Sequence, residues 1–250
     1  MSDDRYRYSF ETVAEQYERA RPLYADAAVA FAAQLLGIGP GVPVLDLAAG
    51  TGKLTRQLVG LGADVVAVEP GDEMRGVLAR VVPQARPLAG VAEAIPLADA
   101  SVQAVTVGQA FHWFEPEPAF AEIRRVLRPG GGFALLWNEW DEGDPLLGPV
   151  DRLLQEVRPQ PARAPSWRDA CPVRLEHRRF AQRRELTVEA IVEWAGSTSG
   201  FVNAPREEQE RIAAEIRRLA TGRQSSVSVA TEAFVGQFSE GSSGIRETSS

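Results

Sequence analysis

The sequence is poor in the residues on which disulfide and metal chemistry depend. It contains one cysteine, Cys171, and two histidines, His112 and His177. A lone cysteine allows no internal disulfide, which is typical of a reducing compartment and predicts a cytoplasmic protein. Neither histidine belongs to a Cys/His set with the spacing of metal ligands, so we expect no metal site.

Long apolar runs and clustered positive charge are also missing. No segment reaches the roughly 18 consecutive apolar residues of a membrane span, and residues 1–8 lack the apolar core of a signal peptide. The net charge of -7 argues against a nonspecific nucleic-acid binder, because neutralising phosphates requires clustered positive charge. We therefore expect a small-molecule partner, no nucleic acid and no membrane, and leave the oligomeric state open.

Apolar strands alternate with amphipathic helices along the chain. Strands are predicted near residues 43, 64, 85, 102 and 132, and helical spacing of apolar residues recurs between them, as in Leu54, Leu58 and Leu61. Residues 11–36 are predicted to form helices broken at Pro22. This alternation predicts an α/β fold, a doubly wound and mainly parallel sheet covered by helices on both faces.

A glycine turn follows the first predicted strand. Asp46 lies near the end of that strand, the turn Ala48-Ala-Gly-Thr-Gly52 follows, and the second strand ends on Glu69. Glycines let a ligand approach the main chain, and a carboxylate at the second strand can accept both hydroxyls of a ribose. The pattern indicates a nucleotide-shaped site at the carboxyl ends of the strands.

The residue types of the turn distinguish between a phosphate-binding P-loop, a dinucleotide site and other nucleotide sites. A phosphate-binding P-loop is excluded, because Leu47 and Leu54 occupy the positions that need glycine and a hydroxyl. A dinucleotide site is disfavoured but left open, because Thr55 replaces the third glycine of its fingerprint. Lys53, the only lysine, is expected to face solvent on the first turn of the helix.

The segment Asp46–Gly52 instead resembles motif I of the class I S-adenosylmethionine-dependent methyltransferases. Three later segments strengthen the resemblance: Gly90–Pro96, in which Val91 replaces the family's usual Asp, Gln109–Phe114, and the Leu-Arg-Pro-Gly-Gly turn at Leu127–Gly131. Within the family, the Gln-Ala-Phe-His-Trp-Phe segment is similar to that of small-molecule methyltransferases related to trans-aconitate methyltransferase.

The resemblance implies a seven-stranded Rossmann-like sheet with an antiparallel last strand and an N-terminal helical cap. It implies one domain over residues 1–238, with the cap at 1–40, a cofactor-binding core at 41–140 and an acceptor-side portion at 141–238. Residues 239–250, rich in glycine and serine, are predicted to be a disordered tail. The cofactor would be S-adenosyl-L-methionine, contacted by Tyr17, Asp46, Ala48, Gly50, Thr51, Gly52, Glu69, Pro70, Met74, Ala92, Glu93 and Gln109.

Methyl transfer from a sulfonium needs alignment of the acceptor and exclusion of water more than a protein nucleophile. Trp113 and Trp137 follow the fourth strand and end the fifth, where they could line an acceptor pocket, and His112 could act as a general base. Asn138 is expected in a solvated loop. The acceptor atom, oxygen, nitrogen or carbon, is left open. Two alternatives stay open as well: a nicotinamide oxidoreductase, and a cofactor-binding protein without turnover.

Overall fold

The computed structural model describes residues 14–157, 166–222 and 226–238. Residues 1–13 of the predicted cap and the predicted tail at 239–250 lie outside these ranges.

Seven strands and ten helices are found in the described ranges. The strands are β1 (Pro43–Leu47), β2 (Asp64–Val68), β3 (Arg86–Leu88), β4 (Val102–Gly108), β5 (Leu127–Trp140), β6 (Leu175–Glu185) and β7 (Ser226–Gln237). The helices are α1 (Ala14–Ala20), α2 (Asp26–Leu36), α3 (Lys53–Gly60), α4 (Asp72–Val81), α5 (Pro116–Val126), α6 (Leu147–Val157), α7 (Trp167–Ala170), α8 (Val188–Gly196), α9 (Ser199–Asn203) and α10 (Arg206–Ala220). A 3-10 turn spans Phe111–Trp113.

One mixed sheet contains all seven strands, in the order β3-β2-β1-β4-β5-β7-β6. The strands from β1 to β5 pair in parallel, whereas β7 lies antiparallel between β5 and β6. The predicted fold class is confirmed, including the antiparallel last strand. The strand order reverses between β1 and β4, which is where ligands bind in open α/β sheets.

The alternation of side chains along the strands builds a core on each face of the sheet. On one face, Ala134 and Leu136 of β5 join residues of α2 and α3. On the other, Phe133 and Leu135 join Phe120 of α5. Central strands that are apolar on both faces need helices on both, and the helices leave the carboxyl ends of the strands accessible.

The N-terminal helices form a cap over this edge of the sheet. The chain breaks between α1 and α2 around Pro22, as the sequence predicts. Helix α1 packs against α4 and α8, and a Cβ on Gly196 of α8 would come within 2.9 Å of the Gln16 side chain. Among the residues described, no helix is long and apolar enough to cross a membrane.

Candidate active site

A cavity opens at the carboxyl ends of β1 and β4, beneath the helical cap. Its lining comes from the cap, the glycine turn, the ends of β4 and β5, and helix α8. The lining residues are Tyr17, Arg21, Pro22, Tyr24, Asp46, Ala48, Ala49, Gly50, Lys53, Leu54, Gly108, Gln109, Asn138 and Trp194. The cavity therefore includes the predicted nucleotide site at the glycine turn. Its other half is built by the cap, the end of β5 and α8, which are distant from the turn in the sequence.

The glycine turn presents bare main chain to the cavity. Gly50 has a φ of +57°, and a Cβ placed on it would meet no atom within 4 Å. Gly52 has a φ of +88°, and a Cβ there would lie 3.0 Å from the Val82 side chain. Glycine is thus required at Gly52 by packing as well as by conformation, whereas at Gly50 it leaves open space in which a ligand can touch the backbone.

Two other residues that line the cavity adopt left-handed backbone conformations without being glycine. Ala48, just after β1, has a φ of 55°, and Gln109, just after β4, has a φ of 59°. This conformation costs an L-residue about 1–2 kcal/mol, and such costs concentrate at functional sites. The two residues follow the adjacent strands β1 and β4 and both line the cavity. We infer that the backbone of both turns is held in this conformation for ligand binding.

Glu69, at the end of β2, reaches the glycine turn. Its Oε2 accepts a hydrogen bond from the Gly50 N–H at 2.8 Å, and its Oε1 accepts one from the Gly71 N–H at 2.9 Å. The residue is 8% exposed. A carboxylate offers about four acceptor positions, so two backbone N–H donors do not prevent it from also accepting ribose hydroxyls.

Asp46 is buried under the turn. Its Oδ2 accepts from the Thr55 hydroxyl at 2.6 Å and its Oδ1 from the Thr106 hydroxyl at 3.2 Å. Burial, which disfavours the charged form, raises the pKa of Asp46 to about 7, against the lowering effect of these two hydrogen bonds. The group therefore titrates near neutral pH at the floor of the cavity.

Glu18 of α1 fastens the cap to the glycine turn. Its carboxylate accepts a hydrogen bond from the Thr51 hydroxyl at 2.7 Å, pairs with Lys53 at 3.2 Å and also pairs with Arg56. The expectation that Lys53 faces solvent is wrong: its side chain is 13% exposed and lines the cavity. The reason is that α1, which a local pattern cannot position, covers this turn.

A chain of amide and hydroxyl groups supports the β5 side of the cavity. The Gln109 Nε2 donates to the Asn138 carbonyl at 2.9 Å, and the Asn138 Oδ1 accepts from the Thr231 hydroxyl at 2.6 Å. Thr231 in turn accepts from the Ala25 N–H at 2.9 Å. Asn138 thus belongs to the end of β5 and not to a solvated loop, because β7 pairs alongside it.

Three donors line the part of the cavity that is built by the cap and α8, which we call its far end. Arg21 is held by Ser197, to whose hydroxyl its Nε donates at 2.8 Å and to whose carbonyl its Nη2 donates at 3.0 Å. The Tyr24 hydroxyl lies against the end of β4, where a Cβ on Gly108 would come within 2.2 Å of it. Trp194 of α8 completes the wall and is 2% exposed.

The structure brings only part of the predicted cofactor set to the cavity. Tyr17, Asp46, Ala48, Gly50 and Gln109 line it. Others lie in the turn or behind it: Thr51 and Gly52 are buried within the turn, Glu69 contacts Gly50, the Pro70 carbonyl accepts from Arg75, and Met74 packs with Ala14 and Val77. Ala92 is buried in the core, and Glu93 accepts from the Glu115 N–H at 3.0 Å.

The three residues predicted for catalysis and acceptor binding do not line this cavity. His112 is exposed on the 3-10 turn, with its ring 4.7 Å from that of Trp113. Trp113 packs against the core of the opposite sheet face. Trp137 stacks on Trp167 at 5.2 Å and meets Phe234 edge-on at 5.6 Å. Trp137 shares the β5 face of Phe133 and Leu135, which directs it away from the cap.

The loop after β3 is fixed by an ion pair on α5. Glu122 accepts from the Ile95 N–H at 2.8 Å, and Arg125 donates to the carbonyls of Ile95 and Leu97 at 2.9 and 2.8 Å. Val91, which replaces the family's Asp, forms a bridge with Ala94. The loop therefore keeps a defined backbone conformation without the missing carboxylate.

Comparison with known proteins agrees with this geometry. A methyltransferase domain family matches residues 45–135. An uncharacterized methyltransferase of Mycobacterium tuberculosis is 38% identical over 222 residues, which cover 84% of this chain and 85% of that protein. An uncharacterized methyltransferase-like protein of Schizosaccharomyces pombe is 35% identical over 219 residues, covering 85% of this chain and 86% of that one.

Solved structures share the fold. A proposed type II methyltransferase from Anaeromyxobacter dehalogenans has a TM-score of 0.67 and 25% identity, over 87% of this chain and 97% of that one. The phosphoethanolamine N-methyltransferase 2 of Haemonchus contortus, solved with phosphomonomethylethanolamine and S-adenosylhomocysteine, has a TM-score of 0.57 and 14% identity, over 95% of this chain and 59% of that one. None of these proteins supports the nicotinamide alternative. The chain therefore belongs to the methyltransferase family, as a class I S-adenosylmethionine-dependent enzyme.

Proposed function

We propose that this protein methylates a small molecule bound at the far end of the cavity, while the glycine turn and Glu69 hold the nucleoside of S-adenosylmethionine. The observation that carries the proposal is the bare backbone at Gly50 beside a carboxylate at the tip of β2. Bound S-adenosylmethionine supplies an already activated methyl group. The residues present fit this group, because the turn leaves space and Glu69 can accept hydroxyl donors.

The other proposed contacts are with the methionyl and adenine parts of the cofactor. Tyr17 lies at the cap side of the cavity, with the Arg21 guanidinium 5.2 Å from its ring, and is the residue that we assign to the methionyl carboxylate. The predicted contacts of Pro70, Met74, Ala92 and Glu93 belong to the adenine side of the same proposal.

The chain's own part in the reaction is to bind, orient and exclude water. Tyr24 and Trp194, both buried, form a wall that keeps water from the space between the two halves of the cavity. Water exclusion favours transfer, because a desolvated acceptor atom is the better nucleophile. A general base at His112 stays a prediction, as do acceptor contacts of Trp113 and Trp137, the likeness to trans-aconitate methyltransferase and the cytoplasmic location suggested by the lone Cys171.

Calorimetry tests the cofactor site first. S-adenosylmethionine and S-adenosylhomocysteine should both bind, whereas NADH should neither bind nor raise the thermal midpoint. Transfer of an isotopically labelled methyl group from the cofactor into a metabolite extract, resolved by mass, then tests turnover. Binding without any labelled product would favour a cofactor-binding protein without turnover, and stabilisation by NADH alone would refute the proposal.

A further inference from the structure

Trp194 carries a buried donor that the fold leaves without a partner. The residue is 2% exposed and lines the cavity, yet its indole Nε1 forms no hydrogen bond with any described part of the chain. Leaving a buried N–H unsatisfied is costly, and native structures seldom do so without a functional reason. The ring itself is well held, because it packs 4.3 Å from the ring of Trp140.

The polar side chains of Arg21 and Tyr24, which line the cavity with Trp194, are hydrogen-bond donors. Arg21 donates only to the neutral groups of Ser197, and within the described ranges it forms no ion pair. Burial raises the pKa of the Tyr24 hydroxyl well above its usual value, so this group remains a protonated donor at neutral pH. A guanidinium without a counter-ion beside two buried donors is suited to an anionic oxygen.

Acceptor groups on this side of the cavity are already engaged. The Asn138 Oδ1 accepts from Thr231, and the Asn138 carbonyl accepts from Gln109. Asp46, under the glycine turn, accepts from two threonine hydroxyls and forms no hydrogen bond with the Trp194 indole. These groups therefore do not provide partners for Trp194.

Trp194 packs beside the end of β5, whereas the predicted ribose contact follows β2. Glu69 directly follows β2, whereas Trp140, on which Trp194 packs, ends β5. Three strand spacings separate β2 from β5 in this sheet, a distance of about 14 Å at about 4.8 Å for each spacing. The unpaired donor thus belongs to the acceptor's half of the cavity.

We propose that Trp194 is a specificity-determining residue whose indole N–H donates to a carboxylate of the methyl acceptor, in a subsite shared with Arg21. The inference rests on the proposed function, and it identifies the anchoring group of the acceptor, not the atom that is methylated. A carboxylate can accept from donors of this kind and compensates the Arg21 charge, whereas a neutral amide would leave that charge uncompensated.

Nuclear magnetic resonance of the indole groups tests this directly. The five tryptophans give five indole N–H signals, and the signal of Trp194 is the one lost in Trp194→Phe. The probes are hexanoate and benzoate, each matched with its amide, added to protein saturated with S-adenosylhomocysteine. A carboxylate should move the Trp194 signal downfield, and the matching amide should not.

Two variants separate a binding role from a structural one. Trp194→Phe keeps an aromatic ring but removes the donor and the pyrrole half of the indole. Its carboxylate affinity should fall about tenfold or more with unchanged S-adenosylhomocysteine affinity, while the lost packing of this buried side chain lowers the thermal midpoint. Trp167→Phe, on the opposite sheet face, should bind the carboxylates normally.

Three results overturn the inference. The first is a Trp194 signal that no carboxylate moves. The second is a signal that S-adenosylhomocysteine alone moves downfield, together with weaker nucleotide binding in Trp194→Phe, which would assign the donor to the methionyl carboxylate. The third is undiminished affinity of Trp194→Phe for the carboxylates. Failure of the unchanged protein to bind S-adenosylhomocysteine would instead refute the proposed function itself.

Discussion

Replacing Glu69 by glutamine tests how the nucleoside is held. In the native protein both carboxylate oxygens accept a backbone N–H, one from Gly50 and one from Gly71. A carboxamide can satisfy only one of these donors, because its NH2 group would face the other. We expect the free energy of unfolding to fall by about 1–3 kcal/mol, the cost of an unsatisfied buried donor.

The same change should weaken cofactor binding separately from stability. A hydrogen bond to a charged group is worth about 1.5–3 kcal/mol, so losing the charge should raise the dissociation constant of S-adenosylhomocysteine about 10- to 100-fold. Calorimetry measures this affinity, and the thermal midpoint should fall about 2–4 °C for each kcal/mol lost.

A neighbouring carboxylate provides the control for Glu69→Gln. Asp72 begins α4 and pairs with Arg75, but its side chain is 86% exposed, so Asp72→Asn should change both quantities little. Undiminished nucleotide affinity in Glu69→Gln would refute the assignment of this carboxylate to the ribose.

Three further changes test the turn, its floor and its cap. Gly50→Val and Gly37→Val introduce the same strain at positive φ in open space, yet only Gly50→Val should abolish S-adenosylhomocysteine binding by calorimetry, and equal losses would contradict the bare-backbone model. The raised pKa of Asp46 means that the native state holds a proton that the unfolded state releases, so this residue's contribution to stability falls as pH rises from about 4 to about 7. Asp46→Asn should remove that decline from thermal midpoints measured across this range, and an unaltered slope would show that other groups cause it. Glu18→Ala should weaken nucleotide binding about threefold to tenfold by freeing α1, whereas Glu15→Ala, which removes an exposed ion pair, should not.

The glycine turn could be predicted because its chemistry is local. Asp46, Gly50 and Glu69 are placed by one strand-turn-helix unit and the strand that follows it. Parallel pairing then brings the ends of β1 and β2 together, with Leu47 opposite Val68. No longer-range information is needed to place these three residues at one edge of the sheet.

The far end of the cavity could not be predicted, because distant segments build it. Tyr24 comes from the cap and Trp194 from α8, and what joins them is the packing of α1 against α8. Neither Tyr24 nor Trp194 belongs to a recognisable sequence motif. The buried indole N–H becomes informative only when its surroundings are known.

Trp137 shows how strand parity limits sequence reasoning. Alternation along β5 indicates that Leu136 and Trp137 face opposite sides, but it does not say which side the cap covers. Leu136 packs with α2 and α3, so Trp137 faces α7, a short helix that the sequence did not predict. The sequence places Trp137 at the end of the fifth strand, but it does not show on which face of the sheet the side chain lies.

The position of Lys53 allows ligand binding to be measured by chemical modification of this residue. This residue carries the one lysine amine of the sequence, and its side chain borders the cavity. Desolvation lowers the pKa of that amine, which leaves more of it unprotonated and nucleophilic at mildly alkaline pH than an ordinary surface lysine. An amine-directed reagent would therefore modify a single side chain in addition to the α-amino group, and protection by a candidate ligand could be read from the mass of the peptide that contains Lys53.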